Sequence, residues 1–257
     1  MSINWDEAIA AIWRSRSQTL RVVKRIDHVM LGDLLGIDRQ KEALLENTER
    51  FLKGLPANNA LLWGSRGTGK SSLVKALLNT FAPEGLRIIE IDKEDLVDLP
   101  EIVDDVRELP YRFVIFCDDL SFEEGESSYK HLKSVLEGSI ELPPENILIY
   151  ATSNRRHLIP ERESENRQVT LVDGELHYGD SVEEKLSLAD RFGLWLSFHP
   201  MTQQQYLEIV DYLFSGYRGD RDKLHLMAKQ FAMTRASKSG RTAKQFYLAH
   251  HQNFLSV

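Results

Sequence analysis

Hydrophobic positions along the chain fall into short apolar runs separated by amphipathic segments. The runs contain almost no polar residue except at their ends, which is the pattern of strands buried on both faces of a parallel sheet. Five such runs occur, namely NALLWG, LRIIEID, YRFVIFCDDL, NILIYATSN and GLWLSFHP. They predict an α/β fold with a five-stranded parallel sheet.

The segments between these runs have helical spacing of apolar residues. The clearest is DRQKEALLENTERFLKG, in which Asp38 is a candidate N-cap and Gly54 a stop signal. Helices are also predicted for KSSLVKALLNTF, for the acidic segment EDLVDLPEIVDDVREL and for SSYKHLKSVLEGS. Because helices alternate with the strands, they are expected to cover both faces of the sheet.

The two ends of the chain follow other patterns. Residues 1–33 are predicted to form a short amphipathic helix followed by a basic stretch with Arg14, Arg16, Arg21, Lys24 and Arg25. The stretch is interpreted as a solvated face, an interface arm or a contact for nucleic acid. After Pro200 only helical spacing remains, so residues 201–257 are expected to form a small all-helical unit after a core of residues 34–200.

One polar segment, residues 155–180, interrupts the core. Alternating residues around Asp173 and Gly174 predict a β-hairpin with a tight turn. The rest of the segment is interpreted either as a tolerated surface insertion or as a contact or gating element.

Composition narrows the class of protein. The net charge of −7 argues against bulk coating of nucleic acid, and the single cysteine, Cys117, lies in an apolar run and is expected to be a buried, inert thiol. No apolar run approaches the roughly 20 residues that span a bilayer, and the N-terminus lacks signal-peptide features. A cytoplasmic enzyme or regulator is therefore expected, and the eight histidines show no metal-ligand spacing.

The segment GSRGTGKS, residues 64–71, matches the pattern G-x-x-x-x-G-K-[ST] between a predicted strand and a predicted helix. Glycines let backbone N–H groups approach a polyphosphate, and the helix presents its positive N-terminus. In such loops the lysine reaches the outer phosphates and the hydroxyl ligates Mg²⁺. The candidate nucleotide-binding residues here are Gly64, Ser65, Arg66, Gly67, Thr68, Gly69, Lys70, Ser71 and Ser72.

A metal site requires acidic groups close to that loop. Asp118 and Asp119 follow the apolar strand FVIFC, at the sheet edge where ligands of open α/β sheets bind. Asp118 is the candidate Mg²⁺ ligand together with Ser71, and Asp119 is the candidate group that orients or deprotonates the attacking water.

The order of these segments resembles the AAA+ ATPases, a class of P-loop NTPases. The loop is similar to their Walker A sequence, FVIFCDDL to Walker B, ATSN to sensor 1, LADRFG to the arginine-finger stretch and SGRTAKQF to sensor 2. The resemblance implies an AAA+ core with a helical lid, and it implies roles for Asn154 near the γ-phosphate and for Arg241 in the lid. It also suggests that Leu35, Gly36 and Ile37 lie near adenine. More narrowly, the chain resembles a bacterial group of AAA+-type ATPases described only as a domain of unknown function.

The same resemblance has consequences for assembly. It assigns Arg191 as an arginine finger that is supplied across a subunit boundary, and hence a homo-oligomer, most commonly a ring or open spiral of six. An ion pair of Arg191 within its own chain is the other interpretation. The implied ligands are ATP and Mg²⁺, and the implied function is hydrolysis of ATP coupled to remodelling of an unknown protein partner.

Two departures from the family leave alternatives open. Aspartate stands at position 119 where glutamate is usual, which suggests slow turnover or an ATP-gated binding or scaffold protein. The segment IDKEDLVDLPE lacks the aromatic residue and glycine of protein-threading members. A third alternative is a DNA-associated ATPase. It is suggested by the basic N-terminal residues and by the pair Arg155 and Arg156.

Overall fold

A seven-stranded sheet forms the centre of the protein in a computed structural model that describes residues 3–122, 129–137, 142–156, 158, 170–172, 175–177 and 188–255. The strands are β1 (Ala10–Arg14), β2 (Thr19–Val22), β3 (Ala60–Gly64), β4 (Leu86–Ile91), β5 (Arg112–Cys117), β6 (Ile147–Ser153), β7 (Thr170–Val172), β8 (Glu175–His177) and β9 (Leu194–Phe198). The helices are α1 (Asp38–Leu52), α2 (Lys70–Phe81), α3 (Leu99–Val106), α4 (Tyr129–Glu137), α5 (Gln203–Leu213), α6 (Arg221–Thr234) and α7 (Gly240–Leu255).

The strand order is β2-β1-β4-β5-β6-β3-β9, and every pairing is parallel except that of β1 with β2. The five predicted strands therefore form the parallel sheet that was expected. The carboxyl ends of β3, β5 and β6 meet at one edge, which is where the loop and both candidate acids were predicted to lie. A crevice at this edge is the usual ligand site of open α/β sheets.

Separate hydrophobic clusters cover the two faces of the sheet. One contains apolar residues of α1 and α2, such as Leu44 and Leu77, and the other contains residues of α3 and α4, such as Ile102 and Leu132. A buried polar contact fixes α1 to the sheet, because Asn47 and Thr48 both hydrogen-bond to the hydroxyl of Tyr150, at 3.0 and 2.9 Å. The helices thus hold the loops at the carboxyl edge on a rigid base.

The prediction of a helix near the N-terminus is wrong, and the sheet has seven strands rather than five. β1 and β2 form an antiparallel hairpin that extends the sheet beyond β4. Ala11 and Trp13 are buried on one face, and Leu20 and Val22 of β2 pack against the same cluster. This two-residue alternation and the pairing of β1 with β4 stabilise a strand here. The helix was predicted because the apolar run IAAIW is also compatible with helical spacing.

The assigned start of α1 also differs from the prediction. Ile37 is the N-cap residue, and Asp38 is the first helical residue, whose carboxylate pairs with Lys41 at 2.8 Å. Gly54 follows the helix with a φ of 69°, as expected for a glycine that ends a helix.

Helices α5, α6 and α7 have a hydrophobic cluster of their own, which confirms the helical nature of the C-terminal region. Phe214 and Phe246 lie at its centre with ring centroids 5.5 Å apart. We call these three helices the lid. Hydrogen bonds join the lid to the core, among them one from the hydroxyl of Tyr212 to the carboxylate of Asp33 at 2.6 Å and a backbone bond described below.

Strands β7 and β8 form the predicted hairpin as an antiparallel pair. Its turn, at Asp173 and Gly174, lies outside the described residues, as does most of the polar segment around it. Cys117 is 1% exposed, and burial raises the pKa of its thiol. Among the helices that are described, none is long and apolar enough to cross a membrane.

Candidate nucleotide site

Glycines shape the loop between β3 and α2. Gly64 ends β3 with a φ of 130°, and Gly67 and Gly69 have φ values of 75° and 102°. An ideal Cβ on Gly64 would lie 2.0 Å from the carbonyl oxygen of Phe198, a backbone atom of the adjacent strand. The sequence requires glycine here because both the backbone conformation and the close approach of β9 exclude a side chain.

We expect Gly64→Ala to lower the free energy of unfolding by about 3 kcal/mol or more, because it adds a steric clash to a left-handed backbone. Gly85→Ala is the matched control, since Gly85 has a φ of 98° but no atom within 4 Å of an added Cβ. That control should cost only about 1 kcal/mol. Urea unfolding measures both, and equal losses would contradict the role assigned to the contact with Phe198.

Lys70, the first residue of α2, is 7% exposed. Its Nζ donates to the carbonyl oxygens of Gly64 and Ser65 at 2.8 and 2.9 Å and to Oδ1 of Asn154 at 3.2 Å. Burial lowers the pKa of Lys70, while the charges of Asp118 and Asp119 oppose this shift. The ammonium group is thus held inside the loop and aimed at the carboxyl edge of the sheet.

Ser71 and Asp118 lie side by side at this edge, with Ser71 Oγ donating to Asp118 Oδ1 at 2.7 Å. Thr152 of β6 also donates to Asp118 Oδ1. Thr152 is 1% exposed, and its hydroxyl accepts from the backbone N–H of Asp119 at 2.9 Å. Thr152 therefore orients both acids. Sequence reasoning missed this residue, although a polar residue inside an otherwise apolar strand was a signal that could have found it.

Asp119 has a φ of 56°, a left-handed conformation that aspartate tolerates better than most residues. Its carboxylate accepts from the side-chain amide of Asn154, whose carbonyl oxygen accepts from Lys70. The structure thus brings together residues from three separate segments of the sequence, namely Lys70 and Ser71, Asp118 and Asp119, and Asn154.

The chemistry of these groups suits Mg²⁺. This ion prefers oxygen ligands and is usually held by one or two protein groups together with phosphate oxygens and water. Ser71 Oγ and the Asp118 carboxylate are oxygen ligands 2.7 Å apart, and both residues are partly or fully exposed. Across the described residues, no group of three His, Cys, Asp or Glu side chains forms an all-protein metal cage. The donor set therefore fits Mg²⁺ shared with a phosphate.

The remaining loop residues hold the shape of the loop. Thr68 is 3% exposed and donates to the carbonyl oxygen of Ser65 at 2.7 Å, while the N–H of Ser65 donates to the carbonyl oxygen of Phe198 at 2.9 Å. Arg66 is exposed, and Ser72 is half-buried in the first turn of α2.

The segment expected near adenine lies between the loop and the lid. Leu35 packs on the hydrophobic cluster of the lid, and Gly36, with a φ of 74°, lies close to the side chain of Gln205. Ile37 is buried, and its Cδ1 would lie 3.4 Å from a Cβ on Gly69. The segment therefore contacts both the lid and the phosphate loop.

The two arginines lie in different places. Arg241, in the first turn of α7, is next to the loop, because the N–H of Gly240 donates to the carbonyl oxygen of Gly67 at 3.1 Å. Arg191 precedes β9, at the opposite edge of the sheet from the loop. The structure does not bring Arg191 to the site of its own chain.

This sheet, phosphate loop and lid have the arrangement of the AAA+ fold. The solved structure of the FIGL-1 AAA domain in complex with ADP has a TM-score of 0.53 at 20% identity, over 80% of this chain and 68% of that one. The P216G mutant of RuvB from Thermotoga maritima has a TM-score of 0.51 at 14% identity, over 89% of this chain and 75% of that one. At these identities the likeness concerns the fold alone.

A family model that matches most of the chain assigns the protein to a particular family. It matches residues 6–253, and the chain belongs to this family, which is described as a protein of unknown function, DUF815. A curated relative, the replication factor C large subunit of Staphylothermus marinus, is 38% identical over 66 residues. The match covers 25% of this chain and 15% of the relative's length.

Proposed function

We propose that the protein is an AAA+-type ATPase that binds Mg·ATP and hydrolyses it to ADP and phosphate. The observation that carries the proposal is the hydrogen-bonded chain from Lys70 through Asn154 to Asp119, beside the pair of Ser71 and Asp118. It combines a cation for phosphates, oxygen ligands for the metal and a carboxylate for water, all at the mouth of a glycine loop.

Each residue has a distinct task in this proposal. Lys70 exchanges the carbonyl oxygens of Gly64 and Ser65 for the outer phosphate oxygens, so that its charge is already positioned before the nucleotide binds. Ser71 and Asp118 would hold Mg²⁺, which when bound supplies positive charge to the phosphates. Asn154 orients the Asp119 carboxylate.

Asp119 acts on the attacking water. The water oxygen forms a bond to the γ-phosphorus, the bond between that phosphorus and the bridging oxygen of ADP breaks, and the Asp119 carboxylate accepts the proton that water loses. Because aspartate is one methylene shorter than glutamate, its carboxylate reaches less far from the backbone. The shorter side chain of aspartate supports slow turnover of ATP. Slow turnover in turn supports the alternative function, a switch that holds ATP while it binds a protein partner.

We expect Asp119→Asn to lower the rate of phosphate release about 10²-fold while the affinity for ATP is kept, because the amide preserves the shape of the side chain but cannot accept the proton. A coupled phosphate-release assay and titration with a fluorescent ATP analogue measure the two quantities. Asp92→Asn is the matched control, since Asp92 follows the neighbouring strand β4 at the same sheet edge. Unchanged turnover in Asp119→Asn would remove Asp119 from the reaction.

Position 119 also tests the switch alternative. If reach limits the rate, Asp119→Glu should raise turnover about tenfold. Fast turnover by the unmodified protein, with no gain from glutamate, would exclude the slow switch.

Coupling to mechanical work follows from the contact between loop and lid. The backbone bond from Gly240 to Gly67 and the position of Arg241 connect the phosphate end of the site to α7. A change of phosphate charge at the loop therefore acts directly on the lid. We propose that this movement is transmitted to neighbouring copies in a homo-oligomer and to a partner protein.

A further inference from the structure

Positive charge is concentrated in the later part of the lid, because residues 203–222 hold four Asp or Glu residues and two Arg residues. Residues 223–257 contain six Lys and Arg residues and no Asp or Glu, in a chain whose net charge is −7. Two of these six residues, Arg235 and Arg241, lie where the lid meets the phosphate loop.

Three arginines from separate segments line one cleft at this junction. Arg66 comes from the phosphate loop, Arg235 follows α6, and Arg241 lies in the first turn of α7. The cleft has a volume of about 180 Å³. Its other lining residues are Gly67, Ser237, Ser239, Thr242 and Gln245.

The positive charges in this cleft are not neutralised by the described part of the protein. No carboxylate lines the cleft, and none of the three arginines forms an ion pair with a described residue. The Arg235 guanidinium instead lies 5.4 Å from the ring centroid of Phe231. Mutual repulsion among three guanidinium groups is relieved when an anion binds between them.

Hydrogen bonds between buried hydroxyl groups order the loop between α6 and α7. Ser239 and Thr242 are each 3% exposed, with their hydroxyl oxygens 2.9 Å apart, and Thr242 also donates to Ser237 at 3.2 Å. This buried network orders the backbone between Arg235 and Arg241, and the exposed side chains of both arginines extend from it into the cleft.

We propose that the arginine cleft binds a phosphate group. Guanidinium groups present paired N–H donors that match phosphate oxygens, and the N–H groups at the start of α7 add positive potential. The cleft is large enough for a phosphate or diphosphate group. Arg235 is the new ligand in this proposal, and it belongs to none of the sequence segments that resemble AAA+ signatures.

The phosphate has two possible sources. Lys70, Ser71 and Asp118 do not line the cleft, which favours a second phosphate-bearing ligand beside the nucleotide. The cleft nevertheless adjoins Gly67, so the terminal phosphate of a nucleotide in the loop is the other source. Only this second source depends on the proposed ATPase function.

Calorimetric titration separates the two sources. The first arm titrates inorganic pyrophosphate into Lys70→Ala and into the same protein carrying Arg235→Gln or Arg66→Gln in addition. For a separate ligand, Lys70→Ala still binds pyrophosphate, and each arginine substitution weakens binding about tenfold. The second arm titrates ATP and ADP into the unmodified protein, into Arg66→Gln and into Arg235→Gln. If the nucleotide is the source, Arg235→Gln weakens ATP binding about tenfold and ADP binding much less.

Lys238→Gln is the control for both arms, because it removes one positive charge from the same loop without lining the cleft. Thermal unfolding of each variant checks that the lid remains folded. The proposal is overturned if Arg66→Gln and Arg235→Gln both bind pyrophosphate and ATP as Lys238→Gln does. ATP binding by the unmodified protein is recorded in the second arm, so a failure of the ATPase proposal is seen independently.

Discussion

Lys70→Ala is expected to lower ATP hydrolysis about 10³-fold and to weaken ATP binding strongly. The Lys70 ammonium group lies inside the phosphate loop, where it donates hydrogen bonds to two carbonyl oxygens of the loop and to the side chain of Asn154. Removal of one such preorganised donor typically costs 10²–10³ in rate, and here the same group also binds the ground-state phosphates. Steady-state phosphate release and equilibrium titration with a fluorescent ATP analogue measure the two effects.

Lys75→Ala provides the matched control for this substitution. Lys75 lies on the same helix, but it is exposed and pairs with Asp27 at 3.2 Å on the surface. Exposed pairs of this kind contribute little, so this variant should bind and hydrolyse ATP normally. Equal activity of Lys70→Ala and Lys75→Ala would refute the nucleotide site as a whole.

The parallel sheet could be predicted because its strands carry strong local signals. Strands such as Phe113–Cys117 within β5 are apolar without interruption, and the segments between them have helical spacing. The N-terminal hairpin could not be predicted in the same way. Its apolar residues fit either period, and the decision depends on pairing of Ala10 with Ile88, a contact between residues far apart in the sequence.

The candidate site shows the same division between local and distant information. The residues of the phosphate loop were recognisable because a polyphosphate needs glycines, a lysine and a hydroxyl in fixed order. Thr152 and Arg235 follow no such spacing rule. Thr152 matters because β6 lies beside β5, and Arg235 because the lid folds against the loop, so both roles arise from tertiary structure.

The position of Arg191 leads to the second large effect. Arg191 lies three residues before β9, and the N–H of Leu194 donates to the carbonyl oxygen of Asn59, just before β3 begins. The phosphate loop follows the other end of β3, roughly 17 Å away for a five-residue strand. Arg191 therefore lies too far from the phosphate loop to reach the γ-phosphate of a nucleotide bound to its own chain. This position supports the proposal that Arg191 acts on the site of a neighbouring copy.

Arg191→Ala is accordingly expected to lower hydrolysis about 10³-fold while each chain still binds ATP, because the guanidinium stabilises charge that develops during hydrolysis. Arg39→Ala, which removes an exposed arginine from α1, should leave the rate unchanged. Light scattering with ATP reports whether the variant still assembles.

Mixing two inactive variants then distinguishes a finger from a structural arginine. In an assembly of Arg191→Ala with Lys70→Ala, a Lys70→Ala chain supplies its Arg191 to the intact nucleotide site of its neighbour. Partial recovery of hydrolysis on mixing is expected, with a maximum at intermediate ratios of the two chains. A purely structural Arg191 gives no recovery at any ratio and a lowered unfolding midpoint for Arg191→Ala, because its damage stays within the chain that carries it.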